Sequence, residues 1–179
     1  MTNPPTPQDI ARTARISYEA GDYSKAANLF ASASIAMRSS GDVLGSAEMD
    51  NNYSVALLKA GNAQAALSAS QGTEIIFSQA GDLKRQAMAL GNQAAALEAL
   101  GKRKEALQLY QQSADLLNIN GDLELRAIVL KDLSALQLKM GKQFEAMATM
   151  DIALDSQKKL SLRERILKKL LKVPFRMLH

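Results

Sequence analysis

The chain of 179 residues contains no cysteine and no tryptophan, and its single histidine, His179, is the last residue. Without cysteine it forms neither disulfides nor thiolate zinc sites, and without an internal histidine it lacks the usual nucleophile–base pairs. No glycine-rich phosphate loop occurs, and the acidic residues are scattered rather than grouped as metal ligands are. We therefore expect a protein that is not an enzyme and that holds no cofactor and no metal ion.

Two further absences concern location. No part of the chain approaches the roughly 18 uninterrupted apolar residues that read as a membrane-spanning helix. The first seven residues, Met-Thr-Asn-Pro-Pro-Thr-Pro, have neither the basic nor the apolar region of a secretory signal. These features predict a soluble cytoplasmic protein.

The chain does contain a regular spacing of glycine. One glycine occurs every 20 residues, and two 40-residue series alternate: in the first an alanine follows five residues later, and in the second an aspartate follows at once. The first series is Gly21, Gly61, Gly101 and Gly141, and the second is Gly41, Gly81 and Gly121. A fixed period of this size indicates stacked structural repeats.

Each 20-residue half of a repeat has the pattern of an amphipathic helix. In the third repeat Ala87, Leu90 and Ala94 recur at steps of three and four, which places them on one helical face. Glycine is suited to ending each helix, and the aspartate of the second series can cap the next one. We predict an all-α, right-handed α-solenoid of four antiparallel helix pairs plus a C-terminal capping helix. It starts at Thr6 after a disordered lead over 1–5, with pairs near 6–41, 42–81, 82–121 and 122–160.

Alanines stand one turn after each glycine of the first series, at Ala26, Ala66, Ala106 and Ala146. Two antiparallel helices joined by a tight turn approach closely only where side chains are small. We therefore expect these four alanines to be buried at the helix crossings, where a larger side chain would overpack the core.

The spacing of the third repeat is the most informative part of the chain. Its key residues are Leu90-Gly91-Asn92-Gln93-Ala94, Leu97, Leu100-Gly101, Ala106, Tyr110 and Ser113-Ala114. This pattern resembles the tetratricopeptide repeat (TPR) family in its longer form of roughly 40 residues, and the resemblance covers about residues 8–158. The second repeat departs from it, because Ser70 stands where the others have an aromatic residue or methionine. The tryptophan and the unit-ending proline common in the family are also missing.

The resemblance implies a function in protein–protein interaction. It places the first helix of each pair along a concave groove that binds a peptide or a partner helix. In several TPR adaptors an asparagine nine residues before the turn glycine holds the backbone of a bound peptide. That register holds Arg12, Asn52, Asn92 and Asp132 here. An asparagine amide both donates and accepts hydrogen bonds, so Asn52 and Asn92 are predicted as backbone clamps.

Three basic residues are predicted to read the charge of the ligand: Arg12, Arg15 and Lys131. An alternative interpretation is that all these polar residues belong to solvated helix faces, since an amphipathic surface has the same composition. The two-carboxylate clamp of chaperone-binding TPR proteins is not expected, because Glu48 and Met88 occupy the matching registers of the second and third repeats.

The charge of the chain is concentrated at its C-terminal end. From Lys158 onward, eight lysines and arginines oppose one glutamate, which gives this segment a net charge of +7 and leaves −3 for the rest. Ser161 and Glu164 match a capping box. They predict a basic amphipathic helix over 161–173, ended by Pro174 and followed by a tail over 174–179. Its expected apolar face comprises Leu162, Ile166, Leu167, Leu170, Leu171 and Val173.

Three roles are open for this basic helix. It can cap the fourth repeat, since the end of a solenoid otherwise exposes apolar surface. It can bind an anionic membrane surface, or it can dock on another copy of the chain and form a homo-oligomer. The basic residues concerned are Arg163, Arg165, Lys168, Lys169 and Lys172. Nucleic acid is not an expected partner, because the segment has no aromatic stacking set and no base-reading motif.

Overall fold

A computed structural model describes residues 4–176, and within helices it describes side chains as far as Leu171. These residues form ten helices and no strand. The helices are α1 (Pro7–Glu19), α2 (Tyr23–Ser39), α3 (Val43–Lys59), α4 (Ala63–Ser70), α5 (Thr73–Gln79), α6 (Leu83–Ala99), α7 (Arg103–Asn120), α8 (Leu123–Lys139), α9 (Gln143–Asp155) and α10 (Leu162–Arg176). Helices α1 to α9 stack as four pairs, which confirms the predicted all-α solenoid.

The turns between helices have the geometry that the glycine spacing predicts. Gly61 has a φ of 85°, a left-handed conformation that glycine adopts without a Cβ clash. The Gly61 N–H donates to the Leu58 carbonyl at 3.0 Å and the Asn62 N–H donates to the Leu57 carbonyl at 2.9 Å. These two bonds satisfy carbonyls that the end of the helix would otherwise leave unpaired.

The predicted aspartate caps are present at two junctions and absent from the third. Asp42 accepts a hydrogen bond from the Gly45 N–H at 2.8 Å, and Asp82 accepts one from the Arg85 N–H at 2.9 Å. Asp122 makes no such cap, because its carboxylate accepts instead from Asn120 and from Lys84. The prediction was therefore wrong for Asp122, where side-chain partners compete with the backbone.

The four alanines after the turn glycines are buried as predicted. Ala26, Ala66 and Ala106 are 0% exposed and Ala146 is 1% exposed. Ala106 belongs to the largest hydrophobic cluster, which joins α4, α6, α7, α8 and α9. Small side chains thus sit where neighbouring helices make their closest approach.

The second pair differs from the prediction, since its second helix is broken into α4 and α5. Gly72, at the break, has a φ of 85°. The break leaves the Ser70 carbonyl free, and this oxygen accepts hydrogen bonds from Thr73 Oγ1 at 2.7 Å and from Gln93 Nε2 at 2.8 Å. Both donors are buried, so the break is stabilised by internal partners and not by solvent.

The break also brings an aromatic ring into the core. Phe77 on α5 is 0% exposed and belongs to a cluster with Ala47 on α3 and Ala89 on α6. At the position of Ser70 the other repeats carry a larger side chain. In the second repeat the buried phenylalanine is instead Phe77, seven residues later. This arrangement positions one wall of the site described below.

Helix α10 begins as the capping box predicts. The Glu164 N–H donates to Ser161 Oγ at 3.3 Å, and the Ser161 N–H donates to Glu164 Oε2 at 2.9 Å. The helix continues past Pro174 to Arg176, so the prediction that Pro174 ends it was wrong. Proline removes a backbone donor and crowds the carbonyl four residues earlier, but here the proline stands in the last turn of the helix. The side chains of Lys172 and Val173 and residues 177–179 lie outside the described part of the chain.

The apolar face of α10 is only partly covered. Helix α10 contacts α9, and Leu171 is buried. Leu162, Ile166 and Leu170, however, remain 73%, 52% and 61% exposed. The helix therefore contacts the fourth repeat through the side that carries Leu171, and Leu162, Ile166 and Leu170 face solvent.

Candidate peptide-binding groove

Four cavities follow one another along the first helices of the four pairs. Their volumes are about 270 Å³ beside α1, α2 and α3; about 240 Å³ beside α3, α5 and α6; about 180 Å³ beside α6, α7 and α8; and about 500 Å³ between α8 and residues 157–159. Neighbouring cavities share lining residues, among them Asn52 for the first two, Asn92 for the middle two and Ile128 for the last two. The cavities therefore adjoin one another in a series, which we call the groove.

The two predicted clamps lie at the junctions of these cavities. Asn52 and Asn92 are both half-buried. The buried hydrogen bonds nearby join Asn51 to Thr73 and Gln93 to Ser70. Within the described part of the chain, no hydrogen bond involves the side-chain amide of Asn52 or Asn92. Both amides thus line the groove without a hydrogen-bond partner in the described part of the chain.

The second cavity has an apolar base beside a fixed positive charge. The buried ring of Phe77 lies 5.2 Å from the Arg85 guanidinium carbon, a cation–π distance. Arg85 also donates to Asp82 at 2.6 Å and to Glu48 at 3.4 Å. The hydrogen bond to Asp82 is the main cause of a raised Arg85 pKa, and the Arg85 N–H is the main cause of a lowered Asp82 pKa.

The sequence prediction missed Phe77 and Arg85 as groove residues. Their position depends on the break between α4 and α5, which lets α5 lie beside α3 and α6. The available signal was Gly72, a glycine outside the 20-residue series and inside an expected helix. Asn51, next to Asn52 in the chain, is only 7% exposed, and its amide oxygen accepts a hydrogen bond from Thr73.

The third cavity ends at an acidic group. The Tyr110 hydroxyl donates to Glu98 at 3.3 Å, and Lys139 forms an ion pair with Glu98 at 2.8 Å. Desolvation, followed by repulsion from Glu98, raises the pKa of Asp132, although this side chain keeps contact with solvent. Burial, then the charges of Asp132 and Glu98, raises the pKa of Tyr110. In the fourth repeat, the position that corresponds to Asn52 and Asn92 is thus occupied by Asp132, whose carboxylate is poorly stabilised by its surroundings.

The structure does not bring the three predicted charge readers together. Arg12 is exposed, is paired with Asp9 at 2.6 Å and lines none of the four cavities. Arg15 lines the first cavity, at the N-terminal end of the groove. Lys131 lines the fourth cavity, at the opposite end. A single ligand would therefore meet Arg15 and Lys131 at different ends of its length.

Lys131 is also the point where α10 is attached to the groove. Its Nζ atom donates to Glu164 Oε1 at 2.7 Å, and Gln157 Nε2 donates to the same oxygen at 3.3 Å. The Lys131 bond, and then the Ser161 backbone N–H, lower the pKa of Glu164 to about 2. The ionised Glu164 carboxylate therefore joins the first turn of α10 to α8.

We predict that Glu164 titrates near pH 2 and that Lys131→Ala moves this midpoint upward toward 4.5, its ordinary value. The folded pKa is depressed, so the contribution of Glu164 to α10 docking is present above pH 4.5 and is lost as the pH falls toward 2. Titration of the side-chain carboxyl signal by NMR measures both midpoints. A wild-type midpoint at 4.5 would contradict the contact with Lys131.

Two features of other protein classes are missing from the part of the chain that the structure describes. Over residues 4–176, no three carboxylate or imidazole side chains come together as a metal site. In the same range, no helix has the length and the apolar character needed to cross a membrane.

The solenoid resembles solved structures of helical-repeat proteins. BtubC (BKLC) from P. vanneervenii has a TM-score of 0.71 at 16% identity, covering 92% of this chain and 70% of that one. The putative kinesin light chain of Podosopora anserina, with nearly identical TPR-like repeats, has a TM-score of 0.55 at 13% identity, covering 98% and 99%. A point variant of the same kinesin light chain has the same TM-score at 14% identity, covering 96% and 95%.

No family model and no curated protein matches the chain. The likeness therefore lies in the backbone, and identities of this size establish the fold alone. The chain has the TPR-like helical-repeat fold.

Proposed function

We propose that this protein is a non-catalytic interaction scaffold whose groove binds an extended peptide or a helix of a partner protein. Asn52 and Asn92 hold the backbone of the ligand. One observation supports this proposal above all: both amides line the same series of cavities and are free of internal hydrogen bonds. Each amide supplies a donor and an acceptor, as one peptide unit of a ligand requires.

The walls of the groove suit apolar side chains. Met88, 44% exposed, separates the second and third cavities, and Ile128, 57% exposed, separates the third and fourth. Val55 lines the first two. Methionine side chains adapt their conformation to different ligands, and covering exposed aliphatic groups with a ligand lowers the free energy of the complex. The ligand is thus expected to carry apolar side chains between its backbone contacts.

The proposal predicts that Asn52→Ala/Asn92→Ala weakens binding at least about tenfold, since two hydrogen-bonding amides are lost. Partners are first captured from native extract with the full chain. A synthetic peptide from the bound segment of such a partner is then titrated by fluorescence anisotropy.

The matched control is Asn28→Ala/Asn118→Ala, which removes two exposed asparagines from second helices. It is expected to leave the affinity unchanged. Thermal melts show whether the clamp variant keeps the wild-type fold. Equal affinities of the wild-type protein and the folded clamp variant would refute the backbone clamp.

A second binding role, for α10, is favoured by a separate observation. Leu162, Ile166 and Leu170 form an apolar face that the rest of the described chain leaves exposed. Arg163, Arg165 and Lys169 are exposed, while Lys168 pairs with Asp155. An anionic membrane or a second copy of the chain would cover such a helix.

A further inference from the structure

Three positions on the outward face of α9 are apolar, whereas the corresponding positions of α7 and α2 are polar. Phe144 is 71% exposed and Ile152 is 45% exposed, with the exposed Ala148 between them at steps of four residues. We call these three residues the α9 stripe. The positions 40 and 120 residues earlier are exposed and polar: Lys104, Gln108 and Gln112 on α7, and Ser24, Asn28 and Ser32 on α2. The repeat architecture therefore does not require apolar residues at these positions.

The α9 stripe is accompanied by negative charge. Helix α9 contains Glu145, Asp151 and Asp155 and no lysine or arginine, which gives it a net charge of −3. Glu145 lies on one border of the stripe and Asp151 on the other, while Asp155, three residues beyond Ile152, pairs with Lys168 of the same chain. The stripe is thus an apolar surface bordered by carboxylates.

The exposed face of α10 has the opposite charge. Leu162, Ile166 and Leu170 recur at steps of four and share one side of the helix. Six lysines and arginines against Glu164 give α10 a net charge of +5. Arg163 falls on one border of the apolar face and Lys169 on the other, so its flanking charges complement those of the α9 stripe.

We propose that the exposed face of α10 packs on the α9 stripe of a second copy of this chain, and that the exchange is reciprocal. The result is a dimer with two equivalent α10–α9 contacts, as twofold symmetry requires. Within one chain α10 leaves both apolar surfaces exposed, which is why a second copy is needed to cover them. Each contact pairs apolar surface with apolar surface and cations with carboxylates.

The distribution of charge favours the α10–α9 contact with a second copy over two other ways of covering these surfaces. An anionic membrane would attract α10, but the carboxylates bordering the α9 stripe would be repelled by it, which would leave the stripe exposed. Contact between the two α10 helices would bring two segments of net charge +5 together and would be disfavoured. The second copy is the partner that covers both apolar surfaces and pairs both sets of charges.

The test is the mass of the full chain in solution, measured by sedimentation velocity from about 1 to about 200 μM, a range that detects micromolar association. We expect a concentration-dependent dimer.

The double variant Phe144→Lys/Ile152→Gln gives α9 the residues that the third repeat carries at the equivalent positions. It should weaken dimerisation at least about tenfold, because apolar contact area is lost. Ile166→Asn/Leu170→Asn should do the same from α10. The control is Ile35→Lys/Ile119→Gln, which changes two apolar residues outside α9 and α10. They are 64% and 71% exposed, and their substitution should leave dimerisation unchanged.

A mixture of the α9 and α10 variants distinguishes the reciprocal contact from other modes. It should form a heterodimer, because one intact α10–α9 contact is restored. A wild-type chain that stays monomeric over the whole range overturns the proposal. So does dimerisation that Phe144→Lys/Ile152→Gln leaves unchanged. A monomeric chain that binds vesicles of phosphatidylcholine and phosphatidylserine, with equal affinity in this variant, overturns it in favour of a membrane partner.

Discussion

Phe77→Ala is expected to lower the free energy of unfolding by about 3–5 kcal/mol, the cost of truncating a buried phenylalanine and leaving a cavity. Phe77 is 0% exposed and packs with Ala47 and Ala89, whose short side chains cannot extend into the space. Arg85 also loses the ring beside its guanidinium. Urea denaturation followed by circular dichroism at pH 7 measures the change.

The matched control for this substitution is Ile75→Ala. Ile75 lies on the same short helix, α5, but is 55% exposed. Its truncation should change the free energy of unfolding by no more than about 0.5 kcal/mol. Equal losses for Phe77→Ala and Ile75→Ala would mean that α5 does not anchor the second pair in the way the structure shows.

Ala106→Leu is expected to destabilise the fold by about 1–3 kcal/mol, because a larger side chain must be accommodated at a helix crossing. Ala106 is 0% exposed and lies in the largest hydrophobic cluster with Leu97 and Tyr110. The three added carbons have no space unless α6 and α7 move apart. Thermal melts of the full chain detect the loss as a lower melting temperature.

Gln108→Leu provides the comparison for Ala106→Leu, since residue 108 is exposed on the same helix. Placing leucine there adds the same side chain without overpacking and should alter stability by no more than about 0.5 kcal/mol. Full wild-type stability of Ala106→Leu would contradict the register of the α6–α7 crossing.

Much of the architecture could be predicted because it depends on local chemistry repeated at a fixed period. Gly61 and the other glycines of the two series all have positive φ, which is a property of the residue type. The alanines at Ala26 and its equivalents are buried because tight turns force close helix approach. Asn52 and Asn92 lie on the groove because the same register recurs in every first helix.

The broken helix could not be predicted from period alone. Residues 63–79 have the helical pattern of the other repeats, and Gly72 is tolerated inside many helices at a modest cost. What decides the break is the buried environment of the Ser70 carbonyl, which receives hydrogen bonds from Thr73 and from Gln93 on another helix. The second of these donors is 23 residues away in the chain.

The rotation of α10 about its axis likewise could not be predicted from its own sequence. An amphipathic pattern states which residues share a face, but it does not state which way the helix turns when it docks. Here the ion pairs Lys131–Glu164 and Lys168–Asp155 and the burial of Leu171 hold the helix to α8 and α9. With that side turned inward, Ile166 and its neighbours face solvent.

By itself, the sequence determined the repeat length, the helix ends marked by the regularly spaced glycines, the buried alanines and the face on which the asparagines stand, because each of these follows from the conformational preference or size of a residue at a regular spacing. Only the tertiary structure decided that α4 and α5 separate, that Phe77 and Arg85 enter the groove and that α10 presents its apolar face to solvent. These outcomes depend on hydrogen bonds and ion pairs between residues far apart in the chain, and no local pattern records them.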